Sequence, residues 1–253
     1  MSQTAELMDN LTSSSPSIFE SGKSGKDFSK FSTKIKHPKT ALVYWLIGSK
    51  QFEKLRKNHS CEFNNYSKTE LEKLMIEDSS IHEHLNTLYM LTIEFNLKKI
   101  LELGTQFGNS TVALLYAARK INGKVTTIDV DPCKFSRKRI KELELDSFCN
   151  FIQSDDLKIE WSDSIDHLFI DSNHSYSHVT KQLTKYEPHV SKGGIITLHD
   201  IVMNEFDSEG NPIKKTLGKN SVMRAIEDYI KDREDLRFYK YFNCNGLGII
   251  RKS

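Results

Sequence analysis

A short aliphatic segment that ends at a glycine and runs into a helical pattern limits the fold most. From Lys99 to Thr111 the order is Lys-Ile-Leu-Glu-Leu-Gly-Thr-Gln-Phe-Gly-Asn-Ser-Thr, and apolar residues then recur at helical spacing. Residues 109–111 are all N-cap candidates, so the segment predicts a strand, a tight turn and a helix. This is the first βα unit of a doubly wound sheet. Ligands of such sheets bind beyond the carboxyl ends of the strands, so we expect a binding site at the turn that begins with Gly104.

The spacing of the glycines argues against a dinucleotide as the ligand. The dinucleotide fingerprint needs glycine at three positions of G-x-G-x-x-G, but counting from Gly104 the chain has Gln106 at the second position and Asn109 at the third. A pyrophosphate would meet side chains where it needs bare backbone. The acidic Glu102 before G-x-x-x-G suits a ligand that carries an ammonium group and no phosphate. A nicotinamide-dependent oxidoreductase is therefore the disfavoured alternative.

A second aliphatic run, Val125 to Ile128, ends in an aspartate. This residue, Asp129, follows Gly108 by about twenty residues, the spacing at which a carboxylate accepts hydrogen bonds from ribose hydroxyls. Adenosine joined to an amino acid fits both the carboxylate and the glycine turn.

Further strands also end in acidic residues. The third strand runs into Asp155 and Asp156, and the fourth, Ile165 to Ile170, runs into Asp-Ser-Asn-His-Ser-Tyr from Asp171. Because carboxyl ends of parallel strands meet at one edge of a sheet, these carboxylates are expected at the ligand site. An N-cap role for either member of the 155–156 pair is the alternative.

The carboxyl-terminal part of the chain supplies the fifth strand and a hairpin. Gly193-Gly194 is predicted to be the turn into a strand that ends in His199-Asp200. A loop from Val202 to Asn220, long for an α/β connection, indicates a lid or disorder. Asn245-Gly246 then predicts a type I′ hairpin between the last two strands.

The pattern Glu-Leu-Gly-Thr-Gln-Phe-Gly-Asn-Ser followed by Thr-Ile-Asp-Val-Asp resembles the class I S-adenosylmethionine-dependent methyltransferases. Asp-x-x-His-Ser-Tyr after one strand and Gly-Gly-x-x-x-x-His-Asp closing the next resemble an O-methyltransferase subgroup that includes macrolide-sugar methyltransferases and relatives of the cephalosporin-biosynthesis enzyme. The resemblance implies a Rossmann-like, mostly parallel sheet of seven strands with the last strand reversed. It implies these residues at the S-adenosylmethionine site: Glu102, Gly104, Thr105, Gly108, Ser110, Asp129, Val130, Asp155, Asp156 and Asp171.

The same resemblance implies the chemistry. Carboxylates at the positions of Asp171 and Asp200 hold Mg²⁺ in that subgroup, where it binds the acceptor oxygens. This chain offers His199 in place of a third oxygen ligand, which leaves the need for a metal open and would suit Mn²⁺ or iron better. His174 is the candidate general base, assisted by Asp171; a helix cap or surface histidine is the alternative. The expected reaction is O-methylation of a small molecule or sugar hydroxyl, with a non-catalytic S-adenosylmethionine-binding protein as a second alternative.

Length and composition fit one α/β domain with a sizeable core plus extensions. The chain has 253 residues and a formal net charge of +2, so no nucleic-acid partner is expected. Four cysteines without C-x-x-C spacing and the lack of an apolar run of about 18 residues favour the cytoplasm and no membrane contact. The polar residues 1–39 predict a disordered or loosely docked tail, residues 40–97 an N-terminal helical cap, and residues 98–253 the cofactor-binding domain, with a homodimer left open.

Overall fold

The structure is a computed structural model that describes Leu74, residues 79–202 and residues 221–253. The predicted tail at 1–39, most of the predicted helical cap at 40–97 and nearly all of the 202–220 loop lie outside these ranges.

Helices and strands alternate as the sequence predicts. A 3₁₀ turn at His82–His84 precedes the first helix. The helices are α1 (Leu85–Glu94), α2 (Asn109–Ile121), α3 (Lys134–Glu142), α4 (Tyr176–Tyr186) and α5 (Val222–Ile230). The strands are β1 (Lys99–Leu103), β2 (Lys124–Asp129), β3 (Cys149–Gln153), β4 (Ile165–Ile170), β5 (Val190–His199), β6 (Leu236–Tyr241) and β7 (Leu247–Lys252).

The seven strands form one sheet in the order β3-β2-β1-β4-β5-β7-β6. Strands β1 to β5 are parallel, whereas β7 lies antiparallel between β5 and β6. The chain leaves β1 for β2 on one side and later returns to β4 on the other. This reversal places a crevice at the carboxyl ends of β1 and β4, where doubly wound sheets bind ligands. The predicted seven-stranded fold with a reversed last strand is confirmed.

Apolar residues cover both faces of the sheet. Helices α1 and α2 pack on one face, for example through Leu88 and Leu115, and α4 and α5 pack on the other through Leu183 and Ile226. All four side chains are completely buried. Within the described ranges, no helix is long and apolar enough to cross a membrane.

The structure corrects two turn predictions. Gly193 and Gly194 do not turn into β5 but lie inside it, where the pairing with β4 shifts register. Gly193 has a φ of +81°, a left-handed conformation that glycine supplies at a bulge. The β6–β7 connection is a five-residue loop, 242–246, in place of a two-residue type I′ turn. Cys244, Asn245 and Gly246 are all left-handed there.

The start of α2 also differs from the prediction. Its N-cap is Gly108, with a φ of +77°, and no side chain caps the helix. Ser110 and Thr111 instead turn their hydroxyl groups inward to the carboxylate of Glu102. Burial of Glu102 explains why these hydroxyl groups do not cap the helix. A buried carboxylate without hydrogen bonds would cost more free energy than uncapped N–H groups at the start of a helix.

Gly104 lets the turn after β1 touch the end of β4. A Cβ atom built on Gly104 would lie 2.3 Å from the carbonyl oxygen of Asp171, and its φ is +98°. We expect Gly104→Ala to lower the free energy of unfolding by roughly 1–3 kcal/mol, because neither backbone can move away cheaply. Urea denaturation measures this loss.

Gly193→Ala is the matched control for that measurement. Gly193 is also left-handed, but a Cβ atom there meets nothing within 4 Å. Alanine at Gly193 should therefore cost less than at Gly104, since it adds backbone strain without a clash. Equal losses would show that the contact with Asp171 is unimportant.

Candidate functional site

A pocket of about 550 Å³ lies over the carboxyl ends of the parallel strands. Residues after β1, β2, β3, β4 and β5 line it, and Ser80 and Asn245 add a polar wall from outside the parallel strands. The predicted edge of the sheet is therefore the one that carries the pocket. Five of the predicted site carboxylates reach it: Asp129, Asp155, Asp156, Asp171 and Asp200.

Asp129 fixes the glycine turn. One carboxylate oxygen, Oδ2, accepts hydrogen bonds from the backbone N–H groups of Thr105 at 2.8 Å and Gln106 at 2.9 Å. The other, Oδ1, accepts from the N–H of Asp131 at 2.9 Å. Burial raises the pKa of Asp129, but these N–H groups outweigh it, so its pKa lies below the usual value. The group is an anion that faces the pocket while holding the turn.

The other predicted cofactor residues near this turn lie at different depths. Gly104 lines the pocket, and Val130, 64% exposed, lines it from the end of β2. Thr105 and Gly108 are buried in the turn itself, where Gly108 packs against Ser136 of α3. Thr105 and Gly108 can therefore shape the pocket through the backbone alone.

Glu102 does not reach the pocket, which corrects the prediction that it contacts an ammonium group. Its side chain is fully buried, and three hydroxyl groups donate to its carboxylate: Ser110 Oγ and Thr111 Oγ1 at 2.6 Å and Thr127 Oγ1 at 2.7 Å. Burial raises the pKa of Glu102 to about 7 against these hydrogen bonds. The Ser110 hydroxyl donates its hydrogen to Glu102, so it cannot donate to a carboxylate in the pocket. The strand period explains the error, because Glu102 points into the layer beneath the turn.

The pair after β3 divides between two roles. Asp155 accepts a hydrogen bond from the N–H of Leu157 at 3.0 Å and forms an ion pair with Lys158. These contacts cap a turn, as in the capping alternative to a ligand contact. Asp156 is buried and accepts from Gln182 at 2.6 Å and from Ser172 at 3.1 Å. Both residues line the pocket, but each carboxylate already has partners within the protein.

The ends of β4 and β5 bring Asp171, His174 and Asp200 together. His174 Nε2 lies 3.4 Å from Asp171 Oδ1 and 3.1 Å from Asp200 Oδ2. Burial lowers the pKa of His174, but the close approach of Asp171 and the charges of both carboxylates outweigh burial, so the pKa lies above its usual value. In the part of the chain that the structure describes, these three side chains form the group whose ligand atoms all lie within 4.8 Å of one another. We call them the acidic cluster.

His199 supports the acidic cluster from below. It is 1% exposed, and its Nδ1 lies 3.2 Å from Asp171 Oδ1 and 3.3 Å from Asp200 Oδ1. Its Nε2 donates to the carbonyl oxygen of Cys244 at 3.0 Å. Burial lowers the pKa of His199, but the two aspartates raise it well above the usual value.

The role of His199 as a metal ligand stays a prediction. Its Nδ1 faces both carboxylates from beneath, whereas the group whose ligand atoms lie within 4.8 Å of one another contains His174. Asp200, which has a φ of +58°, holds a left-handed conformation that is rare outside glycine and turns its carboxylate into the pocket.

Sequence reasoning missed several residues that line the pocket, and three of them are informative: Ser80, Asn245 and His178. Ser80 and Asn245 meet across 165 residues of sequence, and no local pattern predicts such an approach. Hydrogen bonds from Cys244 to Ser80 and from Asn243 to Glu83 hold the two segments together. The third residue, His178, lies 3.0 Å from Asp156 in the first turn of α4, directly after the acidic motif that ends β4, and this position could have revealed it.

The chain is similar to a known domain family and to several solved structures. Residues 101–201 match the model of a methyltransferase domain family. No curated protein matches the chain in sequence. Several of the similar solved structures contain a bound cofactor or its product.

The O-methyltransferase TomG from Streptomyces achromogenes, involved in tomaymycin synthesis and solved with S-adenosylmethionine, is 14% identical. Its TM-score is 0.55, and the match covers 100% of both chains. An O-methyltransferase from Bacillus cereus with S-adenosylhomocysteine is 16% identical, with a TM-score of 0.54 and coverage of 79% of this chain and 89% of that one. A Staphylococcus aureus protein described as a caffeoyl-CoA O-methyltransferase is 19% identical, with a TM-score of 0.60 and coverage of 79% and 100%.

The domain match spans β1 to the end of β5, the part of the sheet that builds the pocket. The structural matches, all below 25% identity, share the fold. Residues 101–201 therefore resemble a methyltransferase domain, and the sequence motifs and the sheet topology agree with that match.

Proposed function

We propose that this protein transfers the methyl group of S-adenosylmethionine to a hydroxyl oxygen of a small molecule or sugar. The observation that carries the proposal is the position of the acidic cluster in the same pocket as Asp129 and the glycine turn. A sulfonium methyl group is already electrophilic, so the protein must align an acceptor behind it and remove the hydroxyl proton. The two ends of the pocket offer these two functions.

The cofactor fits the end of the pocket formed by β1, β2 and β3. In the proposed arrangement Asp129 accepts hydrogen bonds from the ribose hydroxyls, and the backbone at Gly104 approaches the amino-acid end. Val130 packs against the adenine, and Asp155 or Asp156 lies near its amino group. The structures of TomG with S-adenosylmethionine and of the Bacillus cereus enzyme with S-adenosylhomocysteine support this cofactor.

His174 is the proposed general base. Its Nε2 is buried and has no hydrogen bond of good geometry among the described residues, although two carboxylates lie within 3.4 Å. A proton accepted by Nε2 would be stabilised by Asp171 and Asp200 at once. The imidazole can therefore take the proton of an acceptor hydroxyl and hold it within the acidic cluster.

The acidic cluster also fits a divalent cation. Asp200 Oδ1 is buried and has no hydrogen bond in the described part of the chain, although His199 Nδ1 lies 3.3 Å away, and it belongs to a side chain that lines the pocket. Asp171 and Asp200 would hold the ion, and His174 Nε2 lies close enough to be a third ligand. Bound there, the ion supplies polarisation of the acceptor oxygen. The same nitrogen cannot ligate an ion and accept a proton, and we assign it to the proton.

The rival functions lack support at the site. In a nicotinamide-dependent oxidoreductase, Gln106 would place a side chain where the dinucleotide fingerprint has glycine, and Gln106 lines the pocket here. A non-catalytic S-adenosylmethionine-binding protein would need Asp129 and the glycine turn but not the three side chains of the acidic cluster. Neighbours described as O-methyltransferases support oxygen as the methyl acceptor.

Asp129→Ala should weaken S-adenosylmethionine binding by about 1–3 kcal/mol, or roughly 5- to 150-fold in Kd, because it removes charge-assisted hydrogen bonds. Isothermal titration calorimetry measures the affinity. Asp146→Ala, at an exposed aspartate before β3, is the control and should bind as the wild type does. Tight binding of NADH together with no binding of S-adenosylmethionine would refute the proposed cofactor.

His174→Ala should lower turnover by a factor of about 10² to 10⁴, the usual loss for a general base, with little change in cofactor affinity. The measurement is methyl transfer from labelled S-adenosylmethionine to an acceptor found by screening phenols and sugars. His189→Ala, at the amino end of β5 and so opposite the pocket, should keep full activity. Full activity of His174→Ala would remove His174 from the mechanism.

A chelator should lower turnover of the wild type, and added Mn²⁺ or Mg²⁺ should restore it. Calorimetry with Mn²⁺ should give one ion per chain, lost in Asp200→Asn and retained in His174→Ala, because the carboxylates are the proposed ligands. Loss of ion binding in His174→Ala would make His174 a ligand and not the base. Wild-type activity that is indifferent to chelator would remove the ion from the reaction.

A further inference from the structure

The proposed chemistry leaves one buried ionisable group unused. Glu102 lies in β1, two residues before Gly104, and none of its side chain is exposed. It does not line the pocket, yet it contacts the elements that shape it. Its partners are Ser110 and Thr111 in the first turn of α2 and Thr127 in β2.

All three partners of this carboxylate are neutral hydroxyl groups. In the described ranges, no lysine, arginine or histidine forms a hydrogen bond or ion pair with Glu102. Uncompensated burial is therefore the largest influence and raises the pKa of Glu102 to about 7, although the hydroxyl groups lower it. The group takes up or releases a proton near neutral pH.

The direction of the hydroxyl hydrogen bonds depends on that proton. Ionised, Glu102 can only accept, so Thr127 must give its hydrogen to Glu102. Thr105 Oγ1 lies 2.6 Å from Thr127 Oγ1 and must then be the donor to Thr127. The chain of hydrogen bonds thus runs from Thr105 in the glycine turn through Thr127 to Glu102.

Protonation of Glu102 breaks this order. The carboxylic acid must donate one hydrogen bond, so at least one of its three hydroxyl partners has to turn its own hydrogen elsewhere. If Ser110 or Thr111 turns away, the first turn of α2 loses a hydrogen bond to Glu102. If Thr127 turns away, it donates to Thr105, and the hydrogen bond between these two hydroxyl groups reverses its direction. Thr105 is 3% exposed, and its N–H also binds Asp129, the proposed ribose ligand.

Other charged or ionisable groups near Glu102 do not titrate in the same range. Asp171, from the end of β4, raises the pKa of Glu102 by its charge, and its own pKa lies below the usual value despite burial. Cys149 in β3 has a pKa raised to about 12, mainly by burial and further by the charge of Glu102. Among these neighbours, a pH step near 7 belongs to Glu102.

We propose that Glu102 is a positioning residue whose ionised form orders the glycine turn for S-adenosylmethionine, so that taking up a proton weakens cofactor binding without any contact between Glu102 and the cofactor. The proposal rests on the proposed cofactor. It predicts that the affinity for S-adenosylmethionine depends on pH through the titration of Glu102 beneath the pocket.

The test is calorimetric titration of the wild type and of Glu102→Gln with S-adenosylmethionine between pH 5.5 and 8.5. Wild-type affinity should fall on the order of tenfold as pH drops through about 7, since the bound form favours ionised Glu102. Glu102→Gln should bind more weakly than the wild type at pH 8 and show no such step. His174→Ala, which removes the pocket histidine whose pKa is raised, should keep the step.

Thermal stability separates positioning from damage to the fold. The pKa of Glu102 is about 7 in the folded chain against 4.5 as the ordinary value, so the fold loses stability as pH rises through this window. At pH 8 Glu102→Gln should therefore melt no lower than the wild type while binding the cofactor more weakly. A merely structural role would lower both together.

Thr127→Val provides a second variant if Glu102→Gln fails to fold. It cuts the link between Thr105 and Glu102 but leaves Ser110 and Thr111 bound to the carboxylate, so it should lower affinity at pH 8 and reduce the step. A wild-type step retained in full by either variant would overturn the proposal. Failure of the wild type to bind S-adenosylmethionine at any pH would instead refute the proposed function.

Discussion

The close approach of the turn after β1 to the end of β4 is the contact on which the site depends. The N–H of Asp171 donates to the carbonyl of Leu103 at 2.9 Å, and the N–H of Gly104 donates to the carbonyl of Ile128 at 2.8 Å. The parallel ladders of β1 with β2 and β4 therefore continue past the regular strands. Only a residue without a side chain fits between these backbones, because any Cβ on Gly104 would overlap Asp171. The proposed cofactor turn and the acidic cluster are thus neighbours by backbone geometry.

Charge balance under the pocket is the second constraint. Asp171 and Asp200 are close enough to repel each other, and His199 lies beneath both with a raised pKa that makes it a cation. Its other nitrogen binds the backbone of the β6–β7 loop at Cys244. The loop that leads into the reversed strand therefore takes part in the site, since it supplies the carbonyl that orients His199. His174, nearer the surface, is left to face the pocket.

The sequence predicted the fold well because its signals are local. Aliphatic runs, glycines and helical spacing placed the five parallel strands, and Ile165–Ile170 was predicted to the residue. The glycine turn, Asp129 and the acidic residues after β3, β4 and β5 were also predicted to meet, since the rule for parallel sheets depends on topology alone.

Local patterns could not predict whether a side chain faces the pocket or lies buried beneath it. Glu102 and His199 looked like ligands in the sequence, but each points beneath the pocket, and a motif does not tell which face of a strand a carboxylate or imidazole takes. The bulge at Gly193 and the wall made by Ser80 and Asn245 depend on pairing between distant segments, which no local pattern encodes.

The decisive measurement is a crystal structure of the protein with S-adenosylhomocysteine. We expect the ribose hydroxyls on the carboxylate of Asp129, the amino-acid end at the Gly104 turn and the sulfur atom facing His174 and Asp200. We also expect Glu102 buried beneath the turn, out of contact with the ligand. A ligand bound outside this pocket, or a sulfur atom turned away from the acidic cluster, would contradict this arrangement.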